Sequence, residues 1–308
     1  MPPRIAVVDI GTNTLLLLVV EPDGKGGLHR VRDEVRFGRL GKGLGASGRL
    51  ADESIARSLE AVRAYREIMD ELGVEHVAVV GTQALREASN AGQFVGPAEA
   101  AFGVPVEVIS GDREAELVTT SVVRSMPELA GERFAIADVG GGSTEIIVCE
   151  GGAVTWFRSL PLGSVRHNER HLVGDPPTAE QATALVADLD AALADVPVPE
   201  GALLVGTAGT ATTIAAMELE LAAYDPDRID GTRLAADAVD RRLEQLLSLP
   251  VAERLQLAGL EPERADVIAA GVAIYARLLH RMKAPTFVVS DRGVRWGLAY
   301  ELADQVGE

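Results

Sequence analysis

A chain of 308 residues has room for two domains of ordinary size, and its 47% hydrophobic and 24% charged residues exclude a disordered or low-complexity protein. The formal charge of −17 excludes general attraction to nucleic acid or to an anionic membrane surface. The one cysteine, Cys149, has no disulfide partner in the chain, so the reading is a cytoplasmic protein with a buried structural thiol.

The chain opens with "MPPRIAVVDIGTNTLLLLVV", in which Asp9, Gly11, Thr12 and Asn13 interrupt the apolar run well short of the roughly 20 residues of a membrane span. It also lacks the basic n-region and small-residue cleavage site of a signal peptide. Residues 4–9 and 14–20 read as strands around the turn "GTNT", with a further strand near 28–37. Within the stretch 30–42, Arg30, Arg32, Arg36, Arg39 and Lys42 outnumber Asp33 and Glu34, which makes it either an alternating solvated strand face or a local track for an extended anion. Apolar spacing predicts a helix over 52–73, with Asp52 as its N-cap and Gly73 as its stop. The strand 76–82, a polar helical stretch and the strand 105–110 follow, and this interleaving of strands and helices predicts an α/β fold. In the second half helices are expected at 178–195, where Leu185, Leu189 and Leu193 share a face, and at 233–248 and 263–282. A strand at 286–290 and a terminal helix complete the pattern.

Two motifs recur. "VVDIGTNTLLLLVV" (7–20) and "IADVGGGSTEIIVC" (136–149) share an acid, an apolar residue, a glycine, a polar turn and an apolar strand, which places Asp9 and Asp138 129 residues apart. "VAVVGTQALREA" and "ALLVGTAGTATTI" both run from a strand through Gly-Thr into a helix, with Gly81 and Gly206 offset by 125. Two motifs in the same order at nearly the same offset indicate a duplicated module. The boundary is expected near residue 125. The domains are then 1–125, with the last helix (298–308) returning to it, and 126–297.

A loop such as "GGGST" between two strands lets backbone N–H groups converge, because glycine tolerates positive φ and carries no side chain to hold a ligand away. Gly140, Gly141 and Gly142 would cradle phosphate, with Ser143 and Thr144 adding hydroxyls. Gly11, Thr12, Asn13 and Thr14 offer the same in the first module, and two facing hairpins would form a cleft between the domains. Acids flanking such a loop require an intervening cation, and Asp138 and Glu145 are hard oxygen ligands suited to Mg²⁺. The bland alternative is a tight hairpin with a solvated Glu145. "HNERH" places His167 and His171 one helical turn apart, a spacing that can bind metal, but with no third ligand evident they read as solvated polar residues.

"DIGTNT", "GTQALREASN", "ISGDREAEL", "DVGGGSTE", "LPLGSVR", "GTAGTATT" and "VSDRGVRWG" together resemble the exopolyphosphatase and guanosine pentaphosphate phosphohydrolase (Ppx/GppA) family of the sugar kinase, Hsp70 and actin superfamily, in family order from residue 7 to about 297. The resemblance implies two ribonuclease H-like (actin-like ATPase) domains related by duplication, with the active site in the interdomain cleft. It implies hydrolysis of terminal phosphates from linear inorganic polyphosphate or guanosine pentaphosphate, with Mg²⁺ and a monovalent cation as a further candidate. Asp9 joins Asp138 and Glu145 as the expected metal set, and a homodimer is left open. Long family members carry extra C-terminal helical domains, so the chain resembles the short, two-domain form.

The family's catalytic glutamate lies in a Ser-Gly-x-Glu-Glu-Ala segment, which "SGDREAEL" matches at Ser110, Gly111, Glu114 and Ala115. Glu114 is therefore expected to activate the attacking water, with Glu145 sharing the water or the metal. Arg113 stands where the family has its first glutamate and offers a further hold on phosphate. Read without the family, Glu114 is an ordinary helix-start acid. Arg86 and Asn90, four apart on an expected helix, fall where the resemblance places phosphate contacts. The alternative is a surface Arg86 paired with Glu87 or Asp112. "GTAGT" resembles the phosphate loop of actin-like ATPases, which makes Gly209 and Thr210 candidate ligands, and Arg292 or Arg295 would reach a distal phosphate. Exopolyphosphatase leads, guanosine pentaphosphate phosphohydrolase follows, and an actin-like kinase or ATPase and a non-catalytic polyphosphate or alarmone sensor remain as other classes.

Overall fold

Ile5–Ile10 (β1) is apolar at every position except Asp9, the composition of a strand covered on both faces. In the computed structural model, which describes residues 2–129, 131–151 and 153–307, β1 turns through the four residues Gly11–Thr14 into Leu15–Pro22 (β2) and then Leu28–Arg36 (β3). A short helix Leu44–Ser47 (α1) and the long helix Asp52–Glu71 (α2) lead to His76–Gly81 (β4), which pairs parallel to β1. Helices Gln83–Glu87 (α3) and Gly92–Phe102 (α4) precede Val106–Val108 (β5), parallel to β4, and Gly111–Ser125 (α5). The sheet order is β3-β2-β1-β4-β5. Ala6, Val8 and Ile10 pack with Val62, Tyr65 and Met69 of α2 and Phe94, Ala98 and Phe102 of α4.

The second half repeats this plan. Arg133–Val139 (β6), Thr144–Glu150 (β7) and Ala153–Leu160 (β8) form an antiparallel meander. Ser164–His171 (α6) and Ala179–Leu193 (α7) follow, then Leu203–Thr207 (β9), parallel to β6, and Ala208–Glu218 (α8). Pro226–Ile229 (α9), Arg233–Ala235 (β10), Ala236–Ser248 (α10), Val251–Arg254 (α11), Ile268–Met282 (α12), Thr286–Val289 (β11) and Val294–Gly307 (α13) complete the chain. The sheet order is β10-β11-β9-β6-β7-β8. Without β10, the order read from β8 inward matches the first sheet strand for strand, in both order and direction.

Two compact units result: one from the residues up to Ser121 together with those from Val294 on, the other Val122–Gly293. In the first unit α13 packs on β1 and β2, burying Ile5 and Val7 on the face away from α2. In the second, α12 is buried along most of its length against β6 and helices α6, α7, α8 and α10.

Several sequence expectations need correction. Ala51, not Asp52, is the N-cap of α2, which leaves Asp52 in the first turn, where a carboxylate still suits the helix dipole. The stretch 233–248 is not all helix: Arg233–Ala235 pairs antiparallel with β11 before α10 begins. The stretch 263–282 opens as a single turn at Pro262–Arg264, and α12 starts only at Ile268. α7 does take the expected form, with a Thr178–Gln181 capping box and buried Leu185, Leu189 and Leu193.

The buried Tyr275 of α12 ties β6 to β9: its hydroxyl lies 2.6 Å from the Thr207 carbonyl oxygen and 3.0 Å from that of Ala137. Tyr275→Phe keeps the ring but leaves both carbonyls without this partner in a dry interior. It is expected to lower unfolding free energy by about 1–3 kcal/mol, read as a lower urea midpoint at unchanged m-value.

Candidate active site

The hairpins that follow Asp9 and Asp138 are built alike. The Gly11 N–H donates to the Thr14 carbonyl at 2.9 Å, and the Gly140 N–H to the Ser143 carbonyl at 3.0 Å. In each, the chain emerging from the third strand of the meander returns to take the hairpin's carbonyls. In the first unit the Arg39 N–H donates to the Asn13 carbonyl (2.9 Å) and the Gly41 N–H to that of Thr12 (2.8 Å). In the second the start of α6 does this: Ser164 N–H to the Gly140 carbonyl (3.0 Å), Val165 and Arg166 N–H to that of Gly141 (2.8 and 3.1 Å), and Arg166 Nε to that of Gly142 (2.9 Å).

α6 has no side-chain N-cap, so the loop carbonyls satisfy its first-turn N–H groups. Gly163 permits the approach, since a Cβ there would lie 2.4 Å from Gly141 O and Gly142 N. In a planar trans peptide the C=O and the next N–H point in opposite directions. Carbonyls held toward α6 therefore turn the N–H groups of Gly141, Gly142 and Ser143 the other way, and none of the three donates a turn or loop hydrogen bond among the described residues. By the same geometry the Asn13 and Thr14 amides turn away from the 39–41 segment. Amides so directed are the donors that an anion cradle needs. The requirement at Gly140 is steric rather than conformational: its backbone is not left-handed, and a Cβ would press on Ser143 O at 3.3 Å.

Asp138 and Glu145 are directly opposed across β6 and β7, so both carboxylates lie on one sheet face. Both are buried, which overturns the solvated Glu145. It accepts a hydrogen bond from Ser159 Oγ at 2.6 Å. Burial pushes the Asp138 carboxyl up to about 6, with the Thr207 side chain working in the opposite direction. Leu16 occupies the place opposite Asp9, so only the second hairpin carries a pair of acids. Among the described residues no cluster of three His, Cys, Asp or Glu side chains is assembled for a metal. Two buried hard carboxylates, one of them penalised when ionised, suit a cation of the Mg²⁺ type, which is commonly held by one or two carboxylates with water and substrate phosphates completing its shell.

The remaining residues, predicted ones among them, divide into groups. Asn13 Nδ2 is buried with no hydrogen-bond partner among the described residues, the state of a donor free for a ligand, whereas the Thr207 side chain is engaged with the Asp138 carboxyl. The Thr144 hydroxyl, by contrast, donates to the Leu162 carbonyl at 2.7 Å and is fully buried, so it braces the loop. Arg86 and Asn90 do not share a helix, because α3 ends at Glu87 and Ala88 is extended. The Asn90 amide brackets Leu50, accepting from its N–H (2.8 Å) and donating to its carbonyl (3.1 Å), and also donates to Gln93. Arg86 pairs with Glu114, and neither Glu87 nor Asp112 is its partner; it also donates to the Ile109 carbonyl at 2.7 Å. Glu114 is buried in the first turn of α5.

Arg113 grips Glu301 and Glu116 instead of facing outward toward a phosphate. Arg295 is buried against Asp33 (2.5 Å), and Arg292 pairs with Asp230 (3.3 Å), so both are engaged by acids of their own unit. His167 is buried rather than solvated, and burial lowers its pKa. His171 Nε2 lies 2.8 Å from Asp188 Oδ2 on α7. In the stretch 30–42, Arg32 pairs with Glu34 and Arg36 lies over the Tyr65 ring. Burial pushes the Cys149 thiol up to about 11, which leaves it no role as a nucleophile at neutral pH.

At the start of α8, Thr210 is buried, and a Cβ on Gly209 would strike the Arg264 guanidinium at 2.1–2.2 Å. Arg264 was not read as a site residue. It sits in "EPERAD", 55 residues beyond Gly209, and nothing in local spacing links a single arginine to a distant helix start. A guanidinium against the positive end of a helix gains from an anion nearby.

The chain matches the model of the Ppx/GppA phosphatase family over residues 18–306, and it belongs to that family. It is 35% identical to exopolyphosphatase 2 of Mycobacterium tuberculosis, over 97% of this chain and 98% of that protein. It is 30% identical to the guanosine-5'-triphosphate,3'-diphosphate pyrophosphatase of Vibrio cholerae, over 99% of this chain but only 60% of that longer protein. Among solved structures, an exopolyphosphatase-like protein superposes with a TM-score of 0.92 at 29% identity, covering 99% of each chain. The Aquifex aeolicus family member superposes with 0.82 at 30% identity, also over 99% of each. The two α/β units thus have the actin-like fold of these relatives.

The raised carboxyl of Asp138 sets a pH dependence. The folded state holds this proton up to about pH 6, whereas the unfolded chain releases it near 3.8. Stability from this group is therefore greatest below the unfolded pKa and falls as pH rises through 6. Without divalent cations, Asp138→Asn is expected to be more stable than the parent at pH 7.5 by about 2–3 kcal/mol. The gap should close below pH 4, as measured by urea unfolding at both pH values.

Proposed function

We propose that this protein is an exopolyphosphatase that hydrolyses the terminal phosphate of linear inorganic polyphosphate. The observation that carries the reading is the amide cradle of Gly141, Gly142 and Ser143 beside the buried Asp138 and Glu145. The full-length match to a protein named exopolyphosphatase 2 supports the choice of substrate. Guanosine pentaphosphate is the second reading, favoured by the match to the Vibrio cholerae pyrophosphatase, although this chain spans only 60% of that protein.

In the proposed chemistry Glu114 orients the attacking water and accepts its proton, while Arg86 balances the charge of Glu114. Amide N–H groups of the Gly140–Ser143 and Gly11–Thr14 hairpins, with the Asn13 side chain, bind phosphate oxygens and stabilise the charge that spreads over them. Gly209 and Thr210 supply further donors at the start of α8. Asp138 and Glu145 would hold Mg²⁺, with Asp9 as the remaining acid of the set. The ion neutralises phosphate charge when bound. Asn90 and Thr144 serve as braces. The protein acts in the cytoplasm, consistent with the absence, among the described residues, of any helix long and apolar enough to cross a membrane.

The test is inorganic phosphate release with Mg²⁺ from long-chain polyphosphate, short-chain polyphosphate and guanosine pentaphosphate in parallel. Polyphosphate is expected to be the better substrate. Glu114→Gln is expected to lower turnover by at least about 100-fold without unfolding the protein. Near-parental turnover in that variant would refute the role given to Glu114.

A further inference from the structure

Glu114 and Arg113 are adjacent on the first turn of α5 and point about 100° apart around the helix. Glu114 meets Arg86, while Arg113 meets α13. The Arg113 guanidinium engages Glu301 in a two-pronged pair, Nη1 to Oε1 at 3.0 Å and Nη2 to Oε2, and reaches Glu116 at 3.2 Å. The backbone N–H of Arg113 donates to Ser110 Oγ at 3.2 Å.

One turn further along α5 and one turn back along α13 is a second contact. A Cβ on Gly297 would lie 2.0 Å from the Leu117 carbonyl oxygen, so α5 and α13 touch backbone to backbone there. Arg113 and Leu117 are four apart on one helix, and Glu301 and Gly297 four apart on the other, which makes the crossing antiparallel. The bare glycine contact sets how close the helices come, and Ala115, Leu117 and Val118 bury one face of α5, but holding the first turn of α5 in register also calls for a restraint on its rotation at Arg113. The two-pronged ion pair, fixed in both direction and plane, supplies that restraint. α13 is itself anchored, with Arg295 held by Asp33 of β3 at 2.5 Å and its length packed on β1 and β2.

We infer that Arg113 and Glu301 form a positioning clasp that sets the rotation of α5 and so the direction of the Glu114 carboxylate, without touching substrate. The inference rests on the reading of Glu114 as the water-activating group. It gives a structural role to the arginine standing where the resemblance places the family's first glutamate: the acid this clasp uses is supplied from α13.

The experiment measures kcat and KM for phosphate release from polyphosphate by Arg113→Glu, Glu301→Arg and the double variant carrying both, with urea unfolding of each. Each single variant is expected to lose about 10- to 100-fold in kcat, the scale of a small misplacement of a catalytic group, with KM unchanged. The double variant, which restores the pair in reverse, is expected to recover to within about threefold of the parent, as coupled neighbours do. A double variant no better than Arg113→Glu would overturn the clasp. So would a raised KM in Arg113→Glu with a parental Glu301→Arg, the pattern of a direct phosphate contact. A parent protein that releases no phosphate would count against the functional reading alone. In that event the double-mutant cycle in urea still decides, because zero coupling between the two positions overturns the clasp and clear coupling supports it.

Discussion

The direction of the amides in both hairpins depends on the capture of hairpin carbonyls by the segment that follows the meander. A four-residue connection at the end of a buried strand pair has peptide groups that could face either way. Binding the carbonyls of Gly140, Gly141 and Gly142 to the start of α6 removes that freedom, and peptide planarity then fixes the N–H directions. The first unit reaches the same result with Arg39 and Gly41. The bare Gly163, the missing side-chain cap on α6 and the Thr144 hydroxyl turned to Leu162 all follow from the need to bring that returning segment into backbone contact.

The acids beside the cradle carry an electrostatic cost. Asp138 is buried, its ionised form is penalised by desolvation, and Glu145 lies directly across the ladder from it. In a protein of net charge −17 nothing in the global field offsets this. A carboxylate pair kept in so unfavourable a place makes sense when a cation and a phosphate are bound together, each relieving the other's desolvation. The duplication sharpens the point. The equivalent first-unit position opposite Asp9 is Leu16, so the paired acids belong to one copy of the motif while the carbonyl capture belongs to both.

Much of this was legible in the residues. The 129-residue repeat around Asp9 and Asp138 corresponds to two hairpins closed by the same hydrogen bond, and the Gly-Thr steps at 81 and 206 each end a strand at a helix N-cap. These are local patterns, and local chemistry determines them. What escaped depends on partners distant in sequence. The spacing of Arg86 and Asn90 suggested one helix face, yet Ser89 donates to the Gly48 carbonyl and Asn90 closes on Leu50, contacts some 40 residues away that end the helix early. Arg113 looked like a phosphate ligand because its partner Glu301 lies 188 positions on. The direction of the loop carbonyls, which decides where the amides point, leaves no trace in residue spacing.

The measurement that bears most directly on the carbonyl-capture account is an amide chemical-shift titration of the isotope-labelled protein with tripolyphosphate and Mg²⁺, carried out in the Glu114→Gln variant to prevent turnover. The account predicts that the amides of Gly141, Gly142 and Ser143 in one unit, and those of Asn13 and Thr14 in the other, show the largest saturable shifts. Saturable shifts elsewhere, with these five amides unmoved, would contradict it.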